Sequence, residues 1–271
     1  MRASQQVMGT VVSYLLRVPT ESTSPETTDT DAERRARTAL ARAQAEMTWA
    51  DEVFSTFKPQ SPMSRLRRGE IELEEAPPEV AEVLELSRLV REVTDGWFDP
   101  WSMPGGVDPT GIVKGWAAQR ALAVLKTSGV PGALINAGGD IGVYGHPEDG
   151  QAWRIAVRDH VSAERSLITV EIDGDGAVAT SGNYERGAHL LDPKRGRPAT
   201  RLASATVIGR DLAFSDALAT AVFVSDGRLL DRIGTLRGYH ALVVDVEGVV
   251  RASAGFPLTL PAPAEPMAAS A

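Results

Sequence analysis

Apolar residues recur every three or four positions in three stretches of the first half of the chain, which is the spacing of one helix face. The first stretch follows Thr30 and Glu33, which have capping-box spacing, and its apolar positions are Ala36, Leu40, Ala43, Met47, Ala50 and Phe54. The second begins at Pro77-Pro78 and stops before Gly96. The third covers residues 111–127 and ends at Gly129, where a left-handed cap favours glycine. We therefore predict three long helices.

Runs rich in β-branched residues predict strands in the rest of the chain. One strand is expected at residues 7–18, and five more at residues 133–136, 153–157, 167–172, 203–208 and 241–246. Helices at residues 215–224 and 227–236 interrupt the later strands. Several strands have hairpin-like spacing, so we predict an α+β fold with a largely antiparallel sheet, without regular βαβ alternation.

The length of 271 residues is typical of one large domain or of two closely joined halves. The last stretch contains four prolines among alanine and serine, a composition typical of disordered chain. We therefore place a single folded domain at residues 1–256 and a disordered tail at residues 257–271.

Charge and cysteine content exclude several classes of function. The chain has 28 Lys and Arg against 36 Asp and Glu, a net charge of −8, so we expect no nucleic-acid partner. The absence of cysteine excludes disulfides, thiolate catalysis and lipid attachment at Cys. No apolar run is long enough for a membrane anchor, and the opening residues are too polar for an export signal, so we expect a cytoplasmic protein.

Standard catalytic and nucleotide-binding motifs are absent. The glycines at 106 and 111 are not followed by Lys-Ser or Lys-Thr, and those at 139, 142 and 145 have the wrong spacing for a dinucleotide fingerprint. Ser181, His189 and Asp192 are conceivable as a hydrolase triad, but Ser181 lacks the G-x-S-x-G context. The four histidines have no zinc-ligand spacing.

Two polar groups have a spacing suited to a ligand. Asp216 and Thr220 are four residues apart, so on a helix their oxygens share a face and could bind one hard cation such as Mg²⁺. The alternative is that Ser215 or Asp216 only caps that helix. Gly138 and Gly139 follow a strand and permit close approach of a ligand, or else form a tight turn that Asp140 caps.

Eight short polar blocks follow one another along the chain and together resemble the ApbE family of FAD:protein FMN transferases. The resemblance covers nearly all of the chain to about Val224. The blocks are Met8-Gly9-Thr10, Phe54-Ser55-Thr56-Phe57 with Met63-Ser64-Arg65-Leu66, Gly96-Trp97-Phe98-Asp99-Pro100, residues 107–115, residues 134–141, residues 179–184, residues 189–193 and residues 215–220.

The resemblance implies a fold of two interlocked α/β halves with a cleft for FAD between them. It also implies Mg²⁺-dependent transfer of FMN from FAD to a Thr or Ser hydroxyl of a target flavoprotein, with release of AMP. Some relatives resemble FAD pyrophosphatases, which transfer the same group to water. A flavin-binding protein without catalytic activity is a further alternative.

Site residues follow from the same resemblance. It adds the carbonyl of Gly111 to Asp216 and Thr220 as metal ligands. Residues implied to contact FAD are Met8, Phe57, Trp97, Phe98, Asp99, Asp108, Lys114, Gly138, Gly139, Asp140 and Leu191. Considered singly, Met8, Trp97 and Phe98 could instead be core residues. Lys114 could instead be a surface lysine beside Trp116.

His189 is the candidate for proton transfer because imidazole titrates near neutral pH. It could deprotonate the incoming hydroxyl, bind a phosphate oxygen or hold the turn before Asp192.

Two departures from the family pattern affect these expectations. Only eight residues separate Asp99 from Asp108, where many members have a longer insertion, so part of the wall around the cofactor is expected to differ. Many members also carry an export signal or a lipid-attachment cysteine, so we expect a cytosolic target here.

Overall fold

An eight-stranded sheet forms the centre of the structure, a computed structural model in which residues 1–18, 31–148, 150–158, 166–182 and 190–257 are described. Its strands are β1 (Arg2–Val7), β2 (Thr10–Leu16), β3 (Gly132–Ala137), β4 (Asp140–Gly145), β7 (Gly176–Gly182), β10 (Leu202–Gly209), β11 (His240–Asp245) and β12 (Val250–Ala252). Each strand pairs antiparallel with its neighbours, and the order across the sheet is β1-β2-β3-β4-β7-β10-β11-β12.

Alternate residues of the sheet strands enter two different apolar clusters, because successive side chains of a strand point to opposite faces. In β11, Val243 packs with the helices, whereas Leu242 packs against a separate hairpin. That hairpin consists of β5 (Trp153–Arg158) and β6 (Ser166–Ile172), which pair antiparallel. A smaller hairpin consists of β8 (Leu191–Asp192) and β9 (Arg197–Pro198).

Six α-helices are present among the described residues, and the longer ones pack on the face of the sheet opposite β5 and β6. They are α1 (Asp31–Phe54), α2 (Pro62–Arg67), α3 (Pro78–Val93), α4 (Thr110–Thr127), α5 (Leu212–Val224) and α6 (Leu230–Thr235). Helix α5 is apolar on nearly all sides and almost wholly buried. In the described part of the chain, none of the helices has the length and apolar character needed to cross a bilayer.

The predicted fold class is confirmed: the protein is α+β, and its large sheet is antiparallel. The second and third predicted helices are present as α3 and α4, and Gly129 follows α4 with φ +82°. The predicted first helix is present as α1, although Thr30 lies outside the described residues.

The single strand predicted at residues 7–18 is wrong. The chain reverses at Met8 and Gly9, which have φ of +55° and +68°, and so forms the hairpin of β1 and β2. Methionine rarely occupies this backbone region, so only Gly9 indicated a turn. Met8 is therefore a turn residue, not a strand residue.

The two helices predicted in the second half have the wrong first residue: position 215 is too late for the first helix, and position 227 is too early for the second. Helix α5 starts at Leu212, and its N-cap is Asp211, whose carboxylate accepts from the Phe214 amide at 2.8 Å. The alternative that Ser215 or Asp216 caps this helix is therefore wrong. Helix α6 covers Leu230–Thr235 and not residues 227–236, because Gly227 adopts φ +77° in the preceding turn.

Candidate functional site

A cavity of about 860 Å³ opens between the first turn of α4, the middle of α5, the β1–β2 turn and the loops after α1 and α3. This volume lies in the upper part of the range of about 300–1,000 Å³ that is usual for ligand sites. Twelve of the fifteen predicted site residues line it: Met8, Phe57, Trp97, Phe98, Asp99, Asp108, Gly111, Lys114, Gly138, Leu191, Asp216 and Thr220. The structure thus brings together residues that are far apart in the sequence.

The close crossing of α4 and α5 forms one wall of the cavity. Gly115 lies against Asp216, and a Cβ atom at position 115 would be 2.6 Å from the Leu212 carbonyl oxygen. One turn earlier in α4, a Cβ at Gly111 would be 3.9 Å from Thr220 Cγ2. The 3.9 Å distance at Gly111 is an ordinary contact, so it is Gly115 that lets α5 approach closely enough to place Asp216 and Thr220 beside the first turn of α4.

Asp216 is buried, with 5% of its surface exposed, although it lines the cavity. Its Oδ2 atom accepts from the Gly115 amide at 2.9 Å and lies 3.9 Å from Lys114 Nζ. Burial raises the pKa of the Asp216 carboxyl, and the Lys114 ammonium and the Gly115 N–H act in the opposite direction. The carboxylate is thus a positioned group with charged and polar partners.

Two hydroxyl groups face each other one helical turn beyond Asp216. Thr220 Oγ1 lies 3.1 Å from Ser181 Oγ at the end of β7. In the sequence, Ser181 is a conceivable hydrolase nucleophile and part of the block at residues 179–184, and neither feature predicts a contact with Thr220, 39 residues away. The pair adds a second hydroxyl oxygen to this wall of the cavity.

The donor set at this wall fits a hard divalent cation in a substrate complex. The side-chain oxygens are one carboxylate and hydroxyls, and the described residues hold no group of three or more His, Cys, Asp or Glu suited to a metal. Mg²⁺ is usually bound by one or two carboxylates together with waters and substrate phosphates, not by a cage of protein ligands. A single carboxylate with neighbouring hydroxyls matches that mode of binding.

Lys114 of α4 lies between two acidic residues, Asp140 of β4 and Asp216 of α5. Its ammonium forms an ion pair with Asp140, a buried residue at the start of β4, and is also near Asp216. The other oxygen of Asp140 accepts from the Thr180 amide at 3.2 Å. Lys114 lines the cavity but Asp140 does not, so Asp140 is placed to hold Lys114.

The turn between β3 and β4 brings Gly138 to the cavity. A Cβ atom at Gly138 would be 2.6 Å from Thr10 Oγ1, so this position requires glycine. The Gly139 amide donates to Asn136 Oδ1 at 2.9 Å, so Asn136 and not Asp140 caps the turn. Gly139 is not among the residues that line the cavity.

An arginine of α2 organises the short segment between Asp99 and Asp108. Arg67 Nη1 donates to Asp108 Oδ2 at 2.6 Å, and its Nη2 donates to the Pro104 carbonyl at 2.8 Å. Asp99 in turn accepts from Arg91 Nε at 2.8 Å and from the Trp101 amide. Sequence reasoning did not identify Arg67, because its contacts lie 37 and 41 residues further along the chain.

Aromatic residues also line the cavity. Phe98 is buried and covers Gly111, where a Cβ atom would be 3.1 Å from Phe98 Cε2. Trp97 is buried as well, whereas Phe57 is 93% exposed. Two serines bind the Ser55 carbonyl and so fix the loop that presents Phe57. These rings offer apolar surface for a planar ligand.

The structure does not favour a hydrolase triad of Ser181, His189 and Asp192. His189 lies outside the described residues. Asp192 is buried, and its Oδ1 accepts from the amides of Lys194 and Arg195 in its own turn. Ser181 Oγ contacts Thr220. The oxygens of Asp192 are therefore occupied locally, not directed to a catalytic partner.

Comparison with known proteins identifies a family and a fold. The sequence model of the ApbE family matches residues 8–105 and 102–242. The chain is 35% identical over 127 residues to the FAD:protein FMN transferase of Vibrio cholerae. This match covers 44% of this chain and 38% of that protein. It is 34% identical over 146 residues to that of Rhodobacter capsulatus, covering 51% of this chain and 27% of that protein. The matches therefore span less than half the length of these curated relatives.

Two solved structures have the same fold over nearly their whole length. The ApbE protein from Thermotoga maritima superposes with a TM-score of 0.79 at 24% identity, over 94% of this chain and 97% of that one. The flavin transferase ApbE from Vibrio cholerae gives a TM-score of 0.74 at 22% identity, with the same coverage of both chains.

Proposed function

The chain belongs to the ApbE family, and from this premise we propose that it transfers FMN from FAD to a Thr or Ser hydroxyl of a partner flavoprotein and releases AMP. The observation that carries the proposal is the α4–α5 crossing, where Gly111, Asp216 and Thr220 meet at one wall of a cavity that aromatic residues also line. This arrangement combines hard oxygen ligands with surface for a flavin ring system.

Mg²⁺ would be held by the Asp216 carboxylate, the Thr220 hydroxyl and the Gly111 carbonyl. Bound to a diphosphate, the ion neutralises phosphate charge and stabilises the oxygen of the leaving nucleotide. Ser181 supports this assignment because its hydroxyl lies 3.1 Å from Thr220 Oγ1 and can orient it.

The chain's own cation and backbone dipole would bind the diphosphate. Lys114 lines the cavity, and it follows the first turn of α4, which also lines it. A helix N-terminus favours anions because its first N–H groups lack partners within the helix. Asp140 restrains the Lys114 ammonium on the side away from the cavity, which lowers the entropy lost when a phosphate binds.

In the proposed reaction, the acceptor hydroxyl oxygen forms a bond to the phosphorus of the FMN half of FAD. The bond between that phosphorus and the bridging oxygen breaks, and AMP leaves with the bridging oxygen and its electron pair. We assign removal of the hydroxyl proton to His189 because of its residue type and its position before the Asp192 turn.

The test is incubation of the purified chain with FAD, MgCl₂ and protein fractions from the native cell. Chromatography measures AMP, and mass spectrometry detects an acceptor heavier by one FMN. AMP with a modified acceptor supports the transferase. AMP formed equally without acceptor, together with free FMN, indicates a pyrophosphatase. FAD binding without AMP under every condition indicates a flavin-binding protein and rejects the proposal.

A further inference from the structure

Five cationic side chains lie together on one side of the cavity, on the β8–β9 hairpin and the segments around it. The hairpin turn is fixed by Asp192, which accepts from two amides within it. We call this group the basic rim, and its members are Lys194, Arg195, Arg201, Arg228 and Arg251.

Four of the five members of the basic rim surround Asp226, and the fifth, Lys194, pairs with Asp95. Its Oδ2 atom lies 3.6 Å from Arg195 Nη1 and 3.9 Å from both Arg201 Nε and Arg228 Nη2. Arg251 Nη2 donates to the Asp226 carbonyl oxygen at 3.3 Å. Arginines from separate segments therefore converge on one residue, and Lys194 joins them as the sequence neighbour of Arg195.

Two members of the basic rim contact a residue of the cavity wall. Trp97 lines the cavity, and Lys194 Nζ and Arg228 Cζ lie 4.5 and 5.5 Å from the centroid of its ring. Leu191 and Pro193, which precede Lys194, also line the cavity. No member of the basic rim is itself a lining residue, so the five cations stand beside the cavity and not within it.

Positive charge exceeds negative charge on this surface. Among the described residues, the ion pairs of the basic rim involve three carboxylates, Asp95, Asp192 and Asp226, so five cations face three anions and two positive charges remain. The side chains of Asp192 and Asp226 are only 3% and 11% exposed. The side chain of Asp95 is exposed, so five exposed cations and one exposed carboxylate face solvent here, on a chain whose net charge is −8.

We propose that the basic rim binds an acidic segment of the acceptor polypeptide next to the hydroxyl that is modified. This inference rests on the proposed function, because a protein acceptor must pass the edge of the cavity to reach a phosphate inside it. An acidic partner is repelled by most of this chain and attracted to the basic rim, which orients it toward the cavity. Lys114 inside the cavity serves the FAD phosphates, which leaves the basic rim for the partner.

The experiment compares two fluorescent peptides of equal length, each with one Thr, flanked by Asp and Glu in one and by Asn and Gln in the other. Anisotropy measures peptide binding to the full chain in the presence of Mg²⁺ and FAD, and mass spectrometry measures FMN attached to each peptide. At low salt we expect the acidic peptide to bind about tenfold more tightly. The preference should shrink as salt is raised.

The Lys194→Glu/Arg195→Glu/Arg228→Glu variant should lose this preference. The matched control is Arg34→Glu/Arg35→Glu/Arg42→Glu, which makes the same change in net charge on α1 against the far end of α4. The control should keep the preference. Because charge reversal beside Asp192 could impair folding, Lys194→Gln/Arg201→Gln is tested in parallel, and we expect it to reduce the preference by about threefold.

Equal binding of the two peptides to the unaltered chain, or equal losses in the two triple variants, would overturn the proposal. Loss of FAD affinity in the variants of the basic rim would also overturn it, since the cations would then serve the cofactor. Failure of the proposed function gives a different result, namely no AMP and no FMN transfer to either peptide. Anisotropy measures the binding preference independently of catalysis, so the two failures can be told apart.

Discussion

The Gly115 amide donates to Asp216 Oδ2 at 2.9 Å, and a Cβ atom at position 115 would lie only 2.8 Å from Asp216 Cβ. The helix crossing and the position of the carboxylate therefore depend on each other. Any side chain at 115 must separate α4 from α5, because its other neighbour is the backbone oxygen of Leu212 at 2.6 Å.

We expect Gly115→Ala to lower the free energy of unfolding. Overpacking against a backbone atom costs up to about 3 kcal/mol, and improved helix propensity returns about 1 kcal/mol. The net loss of about 2 kcal/mol corresponds to a decrease in Tm of about 5 °C, measurable by calorimetry. Gly111→Ala is the matched control, since its Cβ would meet a movable ring atom at 3.1 Å. A Tm for Gly115→Ala equal to that of the control would contradict the tight crossing.

Removal of the Asp216 charge should separate catalysis from stability. In Asp216→Asn, an amide oxygen can still accept from Gly115, but the anionic ligand is lost, so we expect AMP release to fall by about 100-fold with little change in Tm. Asp216→Ala leaves the buried Gly115 N–H without its acceptor and should cost a further 1 to 3 kcal/mol, approximately. Asp231→Asn, at an exposed acid of α6, serves as the control. Full activity in Asp216→Asn would reject its role as a ligand.

Sequence patterns predicted the elements whose signal is local. The helices α3 and α4 and the alternating strand β5 follow from the spacing of their own apolar residues. The strands β4 and β7 were missed because they contain glycines that packing requires. A Cβ atom at Gly142 would be 2.5 Å from Leu122, and one at Gly176 would be 2.7 Å from Ile172. Such glycines remove the β-branched signal from a strand.

In the candidate site, as in the fold, the sequence predicts the features that have a local pattern and not the contacts between distant residues. Asp216 and Thr220 are recognisable because four residues separate them on one helix. The contacts of Gly115 and Ser181 with α5 join positions 101 and 39 residues apart, and no local pattern reports such contacts. The cytoplasmic location and the role of His189 stay predictions, as does the disordered tail, because residues 258–271 lie outside the described residues.

Lys114 should act as the counter-ion of Asp140 as well as a cavity residue. Lys114→Met leaves a buried carboxylate without its cationic partner, and we expect a loss of about 3 kcal/mol. Lys114→Met/Asp140→Asn should be more stable than Lys114→Met, because the unpaired charge is gone. Urea unfolding of both single variants and the double variant gives the coupling energy, expected to exceed about 1 kcal/mol. Additive losses would show that the two side chains do not interact.

The hydroxyl of Thr220 should determine how much Mg²⁺ the protein needs for AMP release. Thr220→Val keeps the shape of the side chain but removes the oxygen, so we expect the Mg²⁺ concentration for half-maximal AMP release to rise by about tenfold. Thr220→Ser retains the hydroxyl and should restore near-normal dependence. Ser181→Ala should produce a smaller rise, since Ser181 acts through its contact with Thr220. Identical Mg²⁺ titrations for Thr220→Val and the unaltered chain would exclude Thr220 as a ligand.

Arg67 should position the short segment that closes the cavity before α4. Its guanidinium holds both Asp108 and the Pro104 carbonyl, so Arg67→Ala removes two charge-assisted hydrogen bonds from a partly buried site. We expect KM for FAD to rise by about tenfold with kcat changed less than threefold, because the wall loosens while the groups near Asp216 stay in place. Arg68→Ala is the matched control: Arg68 pairs with Glu70 on the surface, so steady-state kinetics should be unaltered. A fall in kcat at constant KM would place Arg67 in the chemical step instead.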